Sequence, residues 1–169
     1  MKPYMKKPFR KYNKTAIGLC IVLLSFMLSC KSSTNNSKPP MTDSIDFTII
    51  EQGSHSNFTN KQERLLTDQS ALQRVYDTIN STRKPGLPVP EIDFSKQQVA
   101  FITAGELSSG GYSVAIDSIV REEEQVVLYI GGESPESGDY VTTVLTSPFI
   151  LVKFEKQSVP VVFKYSFNK

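Results

Sequence analysis

The sequence predicts an α+β fold: a mostly antiparallel β-sheet, arranged as a sandwich or a partly closed barrel, with one packed helix. Three observations point there. Short β-rich segments recur from Ile45 to Phe163, separated by residues that favour turns. One segment places Leu72, Val75, Tyr76 and Ile79 at helical spacing, a single apolar stripe that must cover something flat. The run from Gln98 to Ala104 is apolar almost without a break, as in a strand buried on both faces.

In chain order, Ile45–Gln52 reads as a strand, and residues 53–60, GSHSNFTN, as a turn or loop. Gln62–Leu66 is expected to return as its partner strand. The helix follows, with Thr67 as the expected N-cap and Asp68 favouring the first turn; Asn80-Ser81-Thr82 ends it. Residues 83–90, RKPGLPVP, form an extended loop, because three prolines and a glycine deny both helix and ladder. After Gln98–Ala104, the segment Tyr112–Val120 alternates at Tyr112, Val114, Ile116 and Ile119 with one slip of phase. Arg121–Glu124 makes a charged turn and Val126–Ile130 completes a hairpin. Residues 131–139, GGESPESGD, are a loop. Tyr140–Leu145, Phe149–Phe154 and Val159–Phe163 supply the remaining strands, which favours antiparallel meanders.

Charge divides the chain. Residues 1–29 hold Lys2, Lys6, Lys7, Arg10, Lys11 and Lys14 and no acid, so the overall +2 becomes about −4 beyond them. The basic character belongs to the leader, and a nucleic-acid partner is not expected. Thr15–Leu28, TAIGLCIVLLSFML, is a run of fourteen largely apolar residues. A spanning helix needs about 20, so the run fits the core of a secretory signal behind a positive end. It stops at Met27-Leu28-Ser29-Cys30, which resembles the lipobox of bacterial lipoproteins: apolar residues, a small residue, then a thiol that takes the diacylglyceryl group. Residues 1–29 are therefore expected to be a removable signal, and Cys30 the acylated first residue. Residues 30–44 form a polar tether that cannot bury a core. Residues 45–169 form the folded domain. The expected location is the cell envelope, on a lipid anchor and in the outer membrane in preference to the inner, with the leaflet left open.

Conventional catalytic equipment is sparse. His55 is the lone histidine, and Ser54 and Ser56 beside it are placed wrongly for a triad. The two cysteines, Cys20 and Cys30, both precede the domain, so a thiol nucleophile, a disulfide framework and a thiolate metal site are not expected in it. Glu133, Glu136 and Asp139 lack the spacing of an EF-hand. Gly105–Ser113, GELSSGGYS, has two glycines at phosphate-loop separation. It lacks the lysine, and a strand rather than a helix follows. The reading is a glycine-permitted turn leading into a hairpin, in a domain with no catalytic residue, metal or cofactor.

A longer pattern is more specific. Residues 90–119, PEIDFSKQQVAFITAGELSSGGYSVAIDSI, are followed in order by Ser137-Gly138-Asp139, Val141-Thr142-Thr143, Leu145-Thr146-Ser147-Pro148-Phe149 and Val152-Lys153. This series, with the helix Asp68–Asn80 in front of it, resembles the C-terminal domain of the PrcB-type protease-complex subunit family over residues 47–156. Ser109 stands where the family often has Thr, and Phe149 where it often has Tyr. The resemblance implies a domain of bacterial lipoproteins and secreted proteins, named for a lipoprotein that associates with an envelope protease and supports its assembly. It supplies no catalytic residue. Gly110, Gly111 and Tyr112 match its central motif and read as a structural corner, with Tyr112 packed beneath the turn, or as a partner contact. The expected function is that of a lipid-anchored, non-catalytic interaction protein whose partner is an envelope protease or another envelope protein. The alternatives are a protease inhibitor acting through Gly131–Asp139, and a small-ligand-binding lipoprotein.

Replacing Cys30 removes the only thiol at the end of the apolar run. Cys30→Ser is expected to abolish incorporation of labelled fatty acid and to move the protein from the membrane pellet to the soluble fraction. Unchanged membrane retention of that variant rules out the lipid anchor.

Overall fold

The computed structural model describes residues 43–166. The expected signal, Cys30 and tether residues 30–42 lie outside them. Eight strands and one α-helix follow in order: β1 (Asp43–Ser44), β2 (Phe47–Gly53), β3 (Gln62–Leu66), α1 (Gln69–Ile79), β4 (Gln97–Thr103), β5 (Ala115–Arg121), β6 (Val126–Gly131), β7 (Phe149–Glu155) and β8 (Val161–Tyr165). They build two four-stranded sheets, β1-β5-β6-β8 and β2-β7-β4-β3. Both sheets keep free edges, so the sequence's choice between sandwich and barrel resolves to a sandwich.

Three layers result: α1, then the β2-β7-β4-β3 sheet, then the β1-β5-β6-β8 sheet. Strands β4 and β7 run antiparallel at the centre of the middle layer, with Phe101 opposite Leu151 and Ile102 opposite Ile150. Alternate residues of a strand point to opposite faces. Ala100, Ile102, Ile150, Val152 and Phe154 therefore meet Ile116, Ile119, Leu128 and Ile130 of the other sheet. Val99, Phe101, Phe149 and Leu151 meet Leu72, Val75, Tyr76 and Ile79 of the helix. This two-sided burial is why both central strands lack a polar face. Each large apolar side chain so buried contributes about 1.5–3 kcal/mol.

The slip of phase in the 112–120 segment is a β-bulge. Strand β5 pairs Ile116 with Ile130 and Ser118 with Tyr129, with a register shift between them. Ile116 and Ile119 are an odd number of residues apart, and one extra residue is what puts both on the inner face. Strand β5 begins at Ala115, three residues later than the alternation suggested.

Four other expectations are corrected. First, β3 does not return beside β2; it pairs with β4, while β2 pairs with β7, so β2 and β3 are opposite edges of one sheet. Local sequence sets strand content but not the choice of partner. Second, β8 runs parallel to β6, because the chain crosses from the middle sheet after β7 and re-enters the outer sheet from the far side. Third, the helix is capped by Asp68 rather than Thr67. Asp68 has extended backbone, and its Oδ1 accepts the Ala71 N–H at 2.7 Å. Fourth, Tyr140–Leu145 is not a strand. It is an irregular, exposed segment, tied to the 104–114 connection by the Gly110 N–H to Thr142 carbonyl bond and not by a ladder.

The cap assignment separates two adjacent residues that are equally able to serve. Asp68→Ala is expected to lower unfolding free energy by about 1 kcal/mol, the usual worth of an N-cap. Thr67→Ala, at an exposed site, is expected to stay within about 0.5 kcal/mol. Urea titrations of the two variants measure both.

Candidate functional site

Three connections leave the same end of the sandwich: residues 54–61 after β2, 104–114 after β4, and 132–148 after β6. The last is a seventeen-residue connection without regular structure. Connections of that length inside compact domains are uncommon, and are usually either functional or disordered.

A buried knot of hydroxyl groups ties the three together. Thr103 Oγ1 donates to the Pro148 carbonyl at 3.0 Å. Its one proton is thereby used, so Ser56 Oγ, 2.9 Å away, donates to it. Ser147 Oγ accepts the Ser56 N–H at 2.8 Å and the Asn57 N–H at 3.1 Å. Thr146 Oγ1 donates to the Ser109 carbonyl at 2.8 Å. Ser56, Thr103, Thr146 and Ser147 are all buried, where a hydroxyl left without a partner costs about 1–3 kcal/mol. Asn57 extends the knot to the helix. Its backbone is left-handed, φ 62°, a conformation asparagine tolerates. Its Nδ2 donates to the Thr78 and Ile79 carbonyls at 3.2 and 3.0 Å, satisfying acceptors that the end of α1 leaves open.

The Gly110-Gly111-Tyr112 motif lies on top of this knot. A Cβ at Gly110 would come within 2.5 Å of Thr142 Oγ1, and one at Gly111 within 2.9 Å of Pro135 Cγ. Gly111 also has φ +89°, which disfavours any side chain. The Gly110 N–H donates to the Thr142 carbonyl at 2.9 Å. The two glycines therefore form a seat on which residues 135–144 rest. Tyr112 is half-buried and forms part of a cavity wall.

That cavity, of about 340 Å³, opens at the same end between the two sheets. Ile102, Leu107, Tyr112, Val114 and Ile130 give it an apolar lining. Tyr165 closes one side. Its hydroxyl donates to Glu63 Oε1, and Lys61 Nζ stands 3.4 Å from its ring centroid. Burial, reinforced by Glu63, pushes the Tyr165 phenol above its ordinary pKa. Beside the cavity a more open recess is lined by Gly111, Glu133, Ser134, Pro135, Tyr140 and Val141 among others. Next to it Tyr140, Val141, Val144 and Leu145 are exposed, Tyr140 fully and Leu145 at 60%.

His55 lies at this end as well. Its Nδ1 is 2.8 Å from Ser54 Oγ, but both residues are exposed and, among the described residues, no carboxylate is hydrogen-bonded to the ring. Among the described residues, no three His, Cys, Asp or Glu side chains come together as metal ligands, Glu133, Glu136 and Asp139 included. The other perturbed tyrosine, Tyr76, is under the helix. Burial first, and then the Glu51 charge, push it up to about 12, and its hydroxyl has no hydrogen-bond partner.

The described chain is thus a helix-backed β-sandwich that presents tied loops, an apolar cavity and an apolar rim at one end. Residues 99–155 match the PrcB C-terminal family model. That span runs from β4 to the end of β7 and contains the glycine seat, Tyr112, the rim and three of the four knot hydroxyls. No curated protein and no solved structure matches the chain. Sequence reasoning placed Gly110, Gly111 and Tyr112 but missed Ser56, Asn57, Ser147 and the cavity. The available signal was Thr103, a hydroxyl at the end of an otherwise apolar buried run, which needs a partner from elsewhere.

Gly111→Ala puts a methyl group against Pro135 on backbone that favours glycine. It is expected to cost about 1–3 kcal/mol and to speed hydrogen exchange at the Gly110 amide as residues 135–144 lift off. Ser108→Ala, at an exposed position of the same connection, is expected to change neither thermal midpoint nor exchange.

Proposed function

We propose that this protein is a lipid-anchored, non-catalytic interaction protein of the cell envelope, an accessory subunit that supports assembly or stability of a protease complex. The family matched by residues 99–155 is associated in name with a protease-complex subunit. The observation that carries the reading is the rim: four exposed apolar side chains held in place by a glycine seat and a buried hydrogen-bond knot. Exposed apolar groups clustered on one segment mark a contact surface. The Ser54–His55 pair is exposed and, among the described residues, has no orienting acid, which supports the non-catalytic reading. Anchoring through Cys30 rests on the sequence, and would raise the local concentration of this surface for other envelope proteins.

The projecting segment Glu133–Asp139 favours one second reading, an inhibitor whose loop enters a protease active site. One experiment decides between them. The acylated protein is crosslinked in intact cells, purified and analysed by mass spectrometry, and the activity of the recovered protease is assayed with and without it. Recovery of a protease whose rate is unchanged or raised is the expected result. Slowed cleavage selects the inhibitor, and recovery of no protein at all overturns the interaction reading.

A further inference from the structure

The cavity and the rim are one surface. The recess lined by Gly111 and Tyr140 shares Glu133 and Ser134 with the cavity, so a chain lying along the recess can place a side chain in the cavity. We propose that this surface binds an extended polypeptide segment in which an apolar residue is flanked by Lys or Arg. The proposal rests on the interaction reading above and names the partner chemistry of that site.

Each part of the segment follows from a feature of the site. The cavity wall is apolar, and about 340 Å³ accommodates one large apolar side chain. The charged side chains that line the adjoining recess are all acidic. Glu133, Glu136 and Asp139 line the recess, all three exposed. None is in an ion pair; the salt bridges among the described residues are Lys96–Asp93 and Lys164–Glu122. A cation flanking the anchoring residue would meet carboxylates with no other cationic partner. Lys61, the cation on the cavity wall, is held over the Tyr165 ring.

A small polar ligand fits less well. Such sites fix their ligand by a few converging polar groups inside an apolar pocket. Of the polar side chains that line this cavity, Lys61 is held over the Tyr165 ring, Tyr165 is hydrogen-bonded to Glu63, and Ser113 Oγ accepts the Glu133 N–H. The rim adds a wall that a small molecule would leave uncovered. An extended chain covers it, with Tyr140 and Leu145 packing along its length.

The test uses the full chain in detergent and two labelled hexapeptide amides, Lys-Arg-Phe-Leu-Lys-Arg and the charge-reversed Glu-Asp-Phe-Leu-Glu-Asp, read by fluorescence anisotropy at physiological ionic strength. The basic peptide is expected to bind at least tenfold more tightly than the acidic one. The triple variant Glu133→Gln, Glu136→Gln, Asp139→Asn is expected to weaken it about tenfold, and Leu145→Asp, on the exposed rim, to weaken it with an unchanged thermal midpoint. Equal binding of both peptides, no binding of either, or indifference to both sets of substitutions overturns the proposal. A photo-crosslinking residue at position 145 or at exposed Arg74 of the helix, introduced in cells, separates the two levels. Protein adducts through Arg74 alone leave the interaction reading standing and move its surface elsewhere. Adducts at neither position reject both. Adducts through position 145 whose crosslinked segment carries an apolar residue beside Lys or Arg support the proposal.

Discussion

The fold depends on a pair of strands, β4 and β7, that must be apolar on both faces. They form the middle of a three-layer stack, with α1 on one side and the outer sheet on the other. A polar side chain on either face at mid-strand would be desolvated by one layer or the other, at a cost of roughly 1–3 kcal/mol unless it found a partner. The polar residues at the ends of β4 follow from this. Thr103 closes the strand where it meets the loop knot, and Gln98, near the other end, keeps one buried amide nitrogen without a partner. The helix amplifies the constraint. Leu72, Val75, Tyr76 and Ile79 are fully buried only because the middle sheet offers Val99, Phe101, Phe149 and Leu151 as a flat apolar floor.

The same two strands organise the loops. The end of β4 at Thr103 and the start of β7 at Phe149 are directly opposite each other. Whatever precedes Phe149 must therefore pass close to whatever follows Thr103. Ser147 and Pro148 are delivered to Thr103 by that register, and the Leu107–Thr146 bridge continues the approach outward. Gly110 and Gly111 then become necessary, since the two connections are brought within a distance that leaves no room for a Cβ. Gly110 and Gly111 are thus a consequence of strand register, and residues 135–144 rest on them. Backbone hydrogen bonds from Gly110 to Thr142 and between Leu107 and Thr146 tie the two connections together.

Legibility in the sequence tracked how local each cause is. The helix was readable because its stripe repeats within one segment. The two-sided burial of β4 was readable because it erases alternation. The bulge in β5 was readable because Ile116 and Ile119 break the period of two. Pairing was not readable: that β3 lies beside β4 rather than β2, or that β8 joins β6 in parallel, depends on residues far apart in the chain. The knot has the same character, since Ser56 and Ser147 are 91 residues apart. Tyr140–Leu145 misled for a different reason. Tyr, Val and Thr favour strands because they suit a half-buried pleated surface, and the same side chains suit an exposed contact rim. Composition alone does not separate the two.

The two ends of the sandwich also differ in what they carry. The chain enters at Asp43, paired with Arg121 beside the β5–β6 turn. The rim, the cavity and the three long connections lie at the other end, beyond Ala115 and Gly131. Strand β5 has seven residues, and at about 3.3 Å per residue it separates the ends by roughly 23 Å. A domain held through Cys30, as proposed, is therefore attached at the end remote from its apolar rim. Ile45, which buries itself against the inter-sheet core immediately after β1, fixes the position of Asp43 and Ser44 on the body of the domain.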